Sequence, residues 1–98
     1  MALTATNPAR LYGLYPRKGT IAVGADADLA IWNTEHKVTI TNDALHHNVD
    51  YTPYEGRTVI GWPETVLSRG EVIVQNGVLM ATMARGQFLE CDTPDLLL

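Results

Sequence analysis

Cysteine is almost missing from this chain: Cys91 stands alone, so no internal disulfide can form and no four-thiolate zinc site can be assembled. That usage suits a reducing compartment. Basic residues are also scarce, with 7 against 11 acidic ones and a net charge of −4, and they form no stripe that would pair with phosphates. Nucleic-acid binding is therefore not expected. No stretch approaches the roughly 18 apolar residues of a membrane span, and the opening Met1-Ala2-Leu3-Thr4-Ala5-Thr6 lacks the charged lead and apolar run of a secretory signal. The expectation is a soluble, cytoplasmic protein with no membrane or nucleic-acid partner.

What is present is apolar: 46% hydrophobic residues and 18% charged ones over 98 positions, with no internal repeat, low-complexity tract or linker. One small domain fits this composition, and its core would be thin. Thr6 or Asn7 can cap a short helix, Pro8 suits its first position, and Gly13 can end it. From Thr20 the pattern turns extended. Thr20 to Val23, Ala27 to Trp32 and Lys37 to Thr41 are strand candidates. Thr58 to Trp62 and Thr65 to Ser68 flank a bend at Pro63, and Glu71 to Gln75 pairs with Val78 to Met80 across Asn76-Gly77. Asn-Gly between apolar runs is a strong hairpin signal, because both residues tolerate the positive φ of a type I′ turn.

The expected fold is mainly β: a small β-sandwich or meander with one short leading helix. It divides into a helix and crossover over 1–15, a sheet segment over 16–90 and a tail over 91–98. Leu96-Leu97-Leu98 reads as a docking tail or a disordered end.

Several side chains invite a chemical reading. His46 and His47, with His36, could be imagined on a metal, but adjacent residues of an extended segment point to opposite faces, and Asp43 and Asp50 complete no recognised ligand spacing. Asp26, Asp28, Asp50 and Glu55 could be recruited as an acid and base pair. Asp26 and Asp28 stand where a turn enters a strand, which favours carboxylates that accept backbone bonds. Ser68 has no nucleophile elbow, and Cys91 has no histidine nearby in sequence, so nucleophilic catalysis finds no support. Tyr51, Tyr54 and Trp62 could line a groove or an interface, or pack a loop by burying their rings. The glycines are too scattered to cradle a phosphate.

Asn7-Pro8-Ala9-Arg10-Leu11-Tyr12-Gly13 and Lys18-Gly19-Thr20-Ile21-Ala22-Val23-Gly24-Ala25-Asp26-Ala27-Asp28-Leu29 are similar to a stretch found across the amidohydrolase superfamily. His47-Asn48-Val49-Asp50-Tyr51-Thr52-Pro53-Tyr54-Glu55-Gly56, Ser68-Arg69-Gly70 and Ala84-Arg85-Gly86-Gln87-Phe88-Leu89 resemble, more narrowly, the closing segment of hydantoinases and dihydropyrimidinases. Such enzymes open the ring amide of hydantoins or dihydropyrimidines at two zinc ions held in a (β/α)₈ barrel. The resemblance implies a composite β-sandwich that follows that barrel.

The ligands that the resemblance implies are a His-x-His pair, a carboxylated lysine, two further histidines and an aspartate, and none of these motifs occurs in this sequence. No catalytic, cofactor-binding or metal residue is carried over, and no cofactor is expected within the chain itself. The reading is then a scaffold and subunit-contact segment, inactive alone, with Met1 just before the crossover favouring a truncated chain. Its partner would be a second copy or a separate barrel-bearing chain. The alternatives are a free-standing interaction module that self-associates and, more weakly, an autonomous metallohydrolase using His36, His46 and His47.

Overall fold

A computed structural model describes residues 1–81 and 84–94. They form two compact units, one of Met1–Asp28 with the C-terminal stretch 84–94, the other of residues 29–81. The Leu96-Leu97-Leu98 tail lies outside the described residues.

In the first unit a π-helical turn, Ala2–Thr6, runs directly into helix α1, Asn7–Leu11. The expected cap at Thr6 is absent because Thr6 is itself helical, at φ −68° and ψ −48°. Its hydroxyl donates instead to the carbonyl of Gly19 at 2.7 Å, tying the helix to the loop that follows. Pro8 occupies the first turn, where no N–H is needed. Gly13, at φ +67°, turns the chain away as expected, and its carbonyl accepts the N–H of Asp92 at 2.8 Å.

The strand expected over Thr20 to Val23 does not form. Residues 17–26 close instead into a loop in which the Asp26 N–H donates to the Arg17 carbonyl at 2.9 Å. Ile21 and Val23 stand exposed, and among the described residues no strand is paired with this segment. An apolar, β-branched run has the propensity for a strand but needs a neighbour to become one.

The second unit is a four-stranded antiparallel meander in the order β1 (Leu29–Thr39), β2 (Thr58–Ser68), β3 (Glu71–Gln75), β4 (Val78–Leu79). The mainly β class with one short leading helix holds, in its meander form, as a single sheet. Two pairs of expected strands are fused. The expected strands Ala27 to Trp32 and Lys37 to Thr41 contribute residues 29–32 and 37–39 to β1, which is irregular between Asn33 and Lys37, where the Glu35 N–H donates to Asn33 Oδ1 at 3.0 Å. Thr58 to Trp62 and Thr65 to Ser68 belong to β2. Pro63 fits inside this central strand because a β-bulge falls there, the register stepping from Ile31↔Thr65 to Trp32↔Pro63.

Both tight hairpins use paired positive φ: Arg69 (50°) with Gly70 (80°), and Asn76 (50°) with Gly77 (77°). These are the signs that a type I′ turn requires, and they match the right-handed twist of the flanking strands.

The register aligns Ala30, Val66, Val74 and Leu79 in one apolar row across all four strands, and Leu29, Leu67 and Val72 in the next. Along β1 and β2 alternation places the two rows on opposite faces, while on β3 a register shift falls between Val72 and Val74. Neither row is fully covered: Leu29, Val66, Leu67 and Val74 are half-buried and Ala30, Val72 and Leu79 exposed, and among the described residues only Ala9 and Thr52 are buried. The chain exposes 7747 Å².

Candidate functional site

A groove of about 660 Å³ lies in the second unit, on the irregular half of β1. It is lined by Asn33, Glu35, His36 and Val38 of β1 and by Trp62, Pro63 and Glu64 of β2 beside the bulge. Asp43, Ala44 and His46 come from the loop that follows β1, and Asn76 and Gly77 from the last hairpin turn. The bulge lies along this groove. It sets Glu64 outside the pairing, and the Glu64 carbonyl accepts the Asn76 N–H at 2.8 Å, which draws the distant turn to the rim.

The loop over residues 40–57 carries the histidine and tyrosine motif, and its ends meet: the Ile40 N–H donates to the Arg57 carbonyl and the Gly56 N–H to the Ile40 carbonyl, each at 2.8 Å. Inside it Asn42 is the hub. Its backbone N–H donates to Glu55 Oε2 at 2.7 Å, and its Nδ2 donates to the Val49 carbonyl at 3.3 Å. That orientation turns Oδ1 toward His47, whose Nε2 lies 2.9 Å away and therefore carries the proton. Thr52 is buried, and its Oγ1 accepts the Tyr54 N–H at 3.3 Å. The loop is thus fixed by hydrogen bonds rather than by ring burial: Tyr51 and Tyr54 are both largely exposed, and the Arg57 guanidinium lies 5.7 Å from the Tyr54 ring centroid. The Asn42 hub went unread in the sequence, because its partners lie 5 to 13 positions away in an irregular loop.

The three histidines do not converge. His36 and His46 line the groove, while His47 is engaged by Asn42. Among the described residues no three His, Cys, Asp or Glu side chains are placed to hold a metal ion. A zinc pair of the kind the family resemblance implies therefore does not fit these residues. Asp50 is exposed, Glu55 serves the loop, and Ser68 ends β2 opposite Glu71. Cys91 is an exposed free thiol.

Asp26 and Asp28 sit in the first unit and are engaged by cations. Lys18 Nζ lies 2.9 Å from Asp26 Oδ2 and also bonds Asp28, while Arg17 Nε lies 3.1 Å from Asp26. The hydrogen bond from Lys18, and then that from Arg17, hold the Asp26 carboxyl below its usual range despite some desolvation. The bond to Asp28 is the main cause that raises Lys18. Carboxylates so engaged clasp a loop; they are not a free acid and base pair.

The chain belongs to the amidohydrolase family, whose model matches residues 1–60. Within it the similarity is to hydantoinases and dihydropyrimidinases. The chain is 48% identical over 88 residues to a D-hydantoinase of Ralstonia pickettii, covering 90% of this chain and 19% of that protein. It is 44% identical over 89 residues to dihydropyrimidinase 2 of Caenorhabditis elegans, covering 91% and 17%. The crystal structure of a D-hydantoinase from Bacillus sp. AR9 superposes with a TM-score of 0.85 at 41% identity, over 94% of this chain and 20% of that one. The chain thus spans about a fifth of the length of the relatives it matches.

Proposed function

We propose that this chain is the closing segment of a hydantoinase or dihydropyrimidinase-like enzyme, one that hydrolyses a C–N bond of a cyclic amide, and that its part is structural. The observation that carries this reading is the pair of incompletely covered apolar rows, on opposite faces along β1 and β2. A sheet apolar on both faces is built to lie between two layers. The rest of the parent enzyme supplies those layers, and the sheet in turn braces them. The groups that activate water and protonate the leaving nitrogen lie outside this segment, as do those that would hold the two zinc ions the family resemblance implies. No catalytic step is assigned to the groove, whose histidines and carboxylates do not form a ligand set.

The test is ring opening of hydantoin and dihydrouracil by the purified chain with added zinc, with a chelator control and a check of folding in the same sample. A folded chain without turnover is the expected result. Turnover abolished by chelator would overturn the structural assignment and return His36 and His46 to consideration.

A second reading follows from the incompletely covered apolar rows. The isolated chain covers its own apolar rows by self-association, as sheets with exposed edges and faces do. Sedimentation velocity across a concentration series tests this, and a single monomer boundary at the highest concentration would overturn it.

A further inference from the structure

Of the five asparagines in the chain, Asn76 alone precedes a glycine; Asn7, Asn33, Asn42 and Asn48 are followed by Pro, Thr, Asp and Val. Asn76 and Gly77 are both exposed, at the tip of the β3–β4 hairpin. Nothing lies within 4 Å of where a Gly77 Cβ would stand. Asparagine is thermally labile because its side-chain amide can be attacked by the backbone nitrogen of the next residue. A glycine there removes the Cβ that would hinder ring closure and leaves the backbone free to adopt the needed geometry. In a two-residue turn the amide of the second central residue stands outside the ladder. The turn is held by a strand of only two residues and by the Asn76 N–H bond to the Glu64 carbonyl at 2.8 Å, so opening it breaks few contacts.

We propose that Asn76-Gly77 is a site of spontaneous backbone-assisted deamidation that alters the hairpin and the rim of the groove. The Gly77 nitrogen forms a bond to Asn76 Cγ, the Cγ–NH₂ bond breaks, and ammonia leaves with the proton that the Gly77 nitrogen gives up. Water then opens the five-membered succinimide at either carbonyl, giving aspartate or isoaspartate at position 76.

The two products act differently. Asp-Gly satisfies the same type I′ turn, so the aspartyl chain keeps the hairpin and adds a carboxylate to a groove already lined by Glu35, Asp43 and Glu64. Isoaspartate inserts an extra backbone carbon. That lengthens the turn and breaks the Gln75↔Val78 and Val74↔Leu79 register, together with the Met80 N–H bond to the Ile73 carbonyl.

The experiment incubates the full chain at neutral pH and physiological temperature and follows each asparagine by peptide mapping, with fragmentation that separates aspartate from isoaspartate. Asn76 should convert roughly tenfold faster or more than Asn33 and Asn48, whose following residues carry a Cβ. Conversion at or below their pace would overturn the proposal. Amide exchange at Met80 reads the structural half: it should quicken in the isoaspartyl fraction and stay slow in an Asn76→Asp chain. Equal protection of Met80 in both would overturn the claim that the isoaspartyl product opens the hairpin.

Discussion

Gly19 passes so close to the leading helix that a Cβ on it would stand 2.5 Å from the Ala9 Cβ and 2.8 Å from the Ala5 carbonyl oxygen. Its φ of +83° adds a second demand that only glycine meets cheaply. Ala9 is one of the two buried residues among those described, so the contact closes what core this unit has. Gly19→Ala should lower stability by about 2 kcal/mol or more, from backbone strain and steric overlap together. The midpoint of urea denaturation measures it, with Gly24→Ala as the comparison: Gly24 also has positive φ, but open space around it. Equal losses in the two variants would show that the close approach contributes nothing.

Asn42 should govern the order of the loop over 40–57. Asn42→Ala removes the side-chain bonds to Val49 and His47, and Glu55→Gln weakens the charge-assisted bond to the Asn42 amide. Each change should cost about 1 kcal/mol, felt mainly within the loop. Hydrogen exchange should quicken at the Asn42 amide in Glu55→Gln and leave the β2–β3 amides unchanged.

The clasp of Lys18 with Asp26 and Asp28 has a defined pH window. Asp26 is depressed, so its contribution is present above the unfolded carboxylate range and is lost as pH falls through its folded value. Lys18 is raised, so its contribution is present below the unfolded lysine range and is lost as pH rises through its folded value. Thermal stability of the native chain should therefore be flat around neutrality and fall at both extremes. Lys18→Met should remove the alkaline limb and most of the acid limb that Asp26 contributes. A native-like acid limb in that variant would mean that other carboxylates cause it.

Turn chemistry was the most legible layer of the sequence. Asn76-Gly77 and the Pro8 and Gly13 punctuation read directly, because each acts through its own φ or its own missing N–H. Thr20 to Val23 misled, since strand propensity there is not met by a neighbour and the Arg17–Asp26 closure wins. Pro63 misled in the opposite sense: a bulge absorbs its missing donor, and bulges depend on the partner strand, which local pattern does not reveal. The hairpin at Arg69-Gly70 was hidden because arginine is an unusual residue at φ 50°. At the groove, His36 and His46 could be nominated from sequence, but their separation from His47 is fixed by Asn42, whose contacts no periodicity predicts.

The order of the strands sets a timetable for folding. Every pairing in the sheet joins strands adjacent in sequence, two of them across two-residue turns, so the second unit assembles from hairpins that close within microseconds or so. The first unit has no such freedom. Its helix and loop meet residues 84–94 only when the far end of the chain arrives, through contacts such as that of Gly13 with Asp92. On a ribosome, residues 1–28 would wait for residues 84–94 before their unit could close.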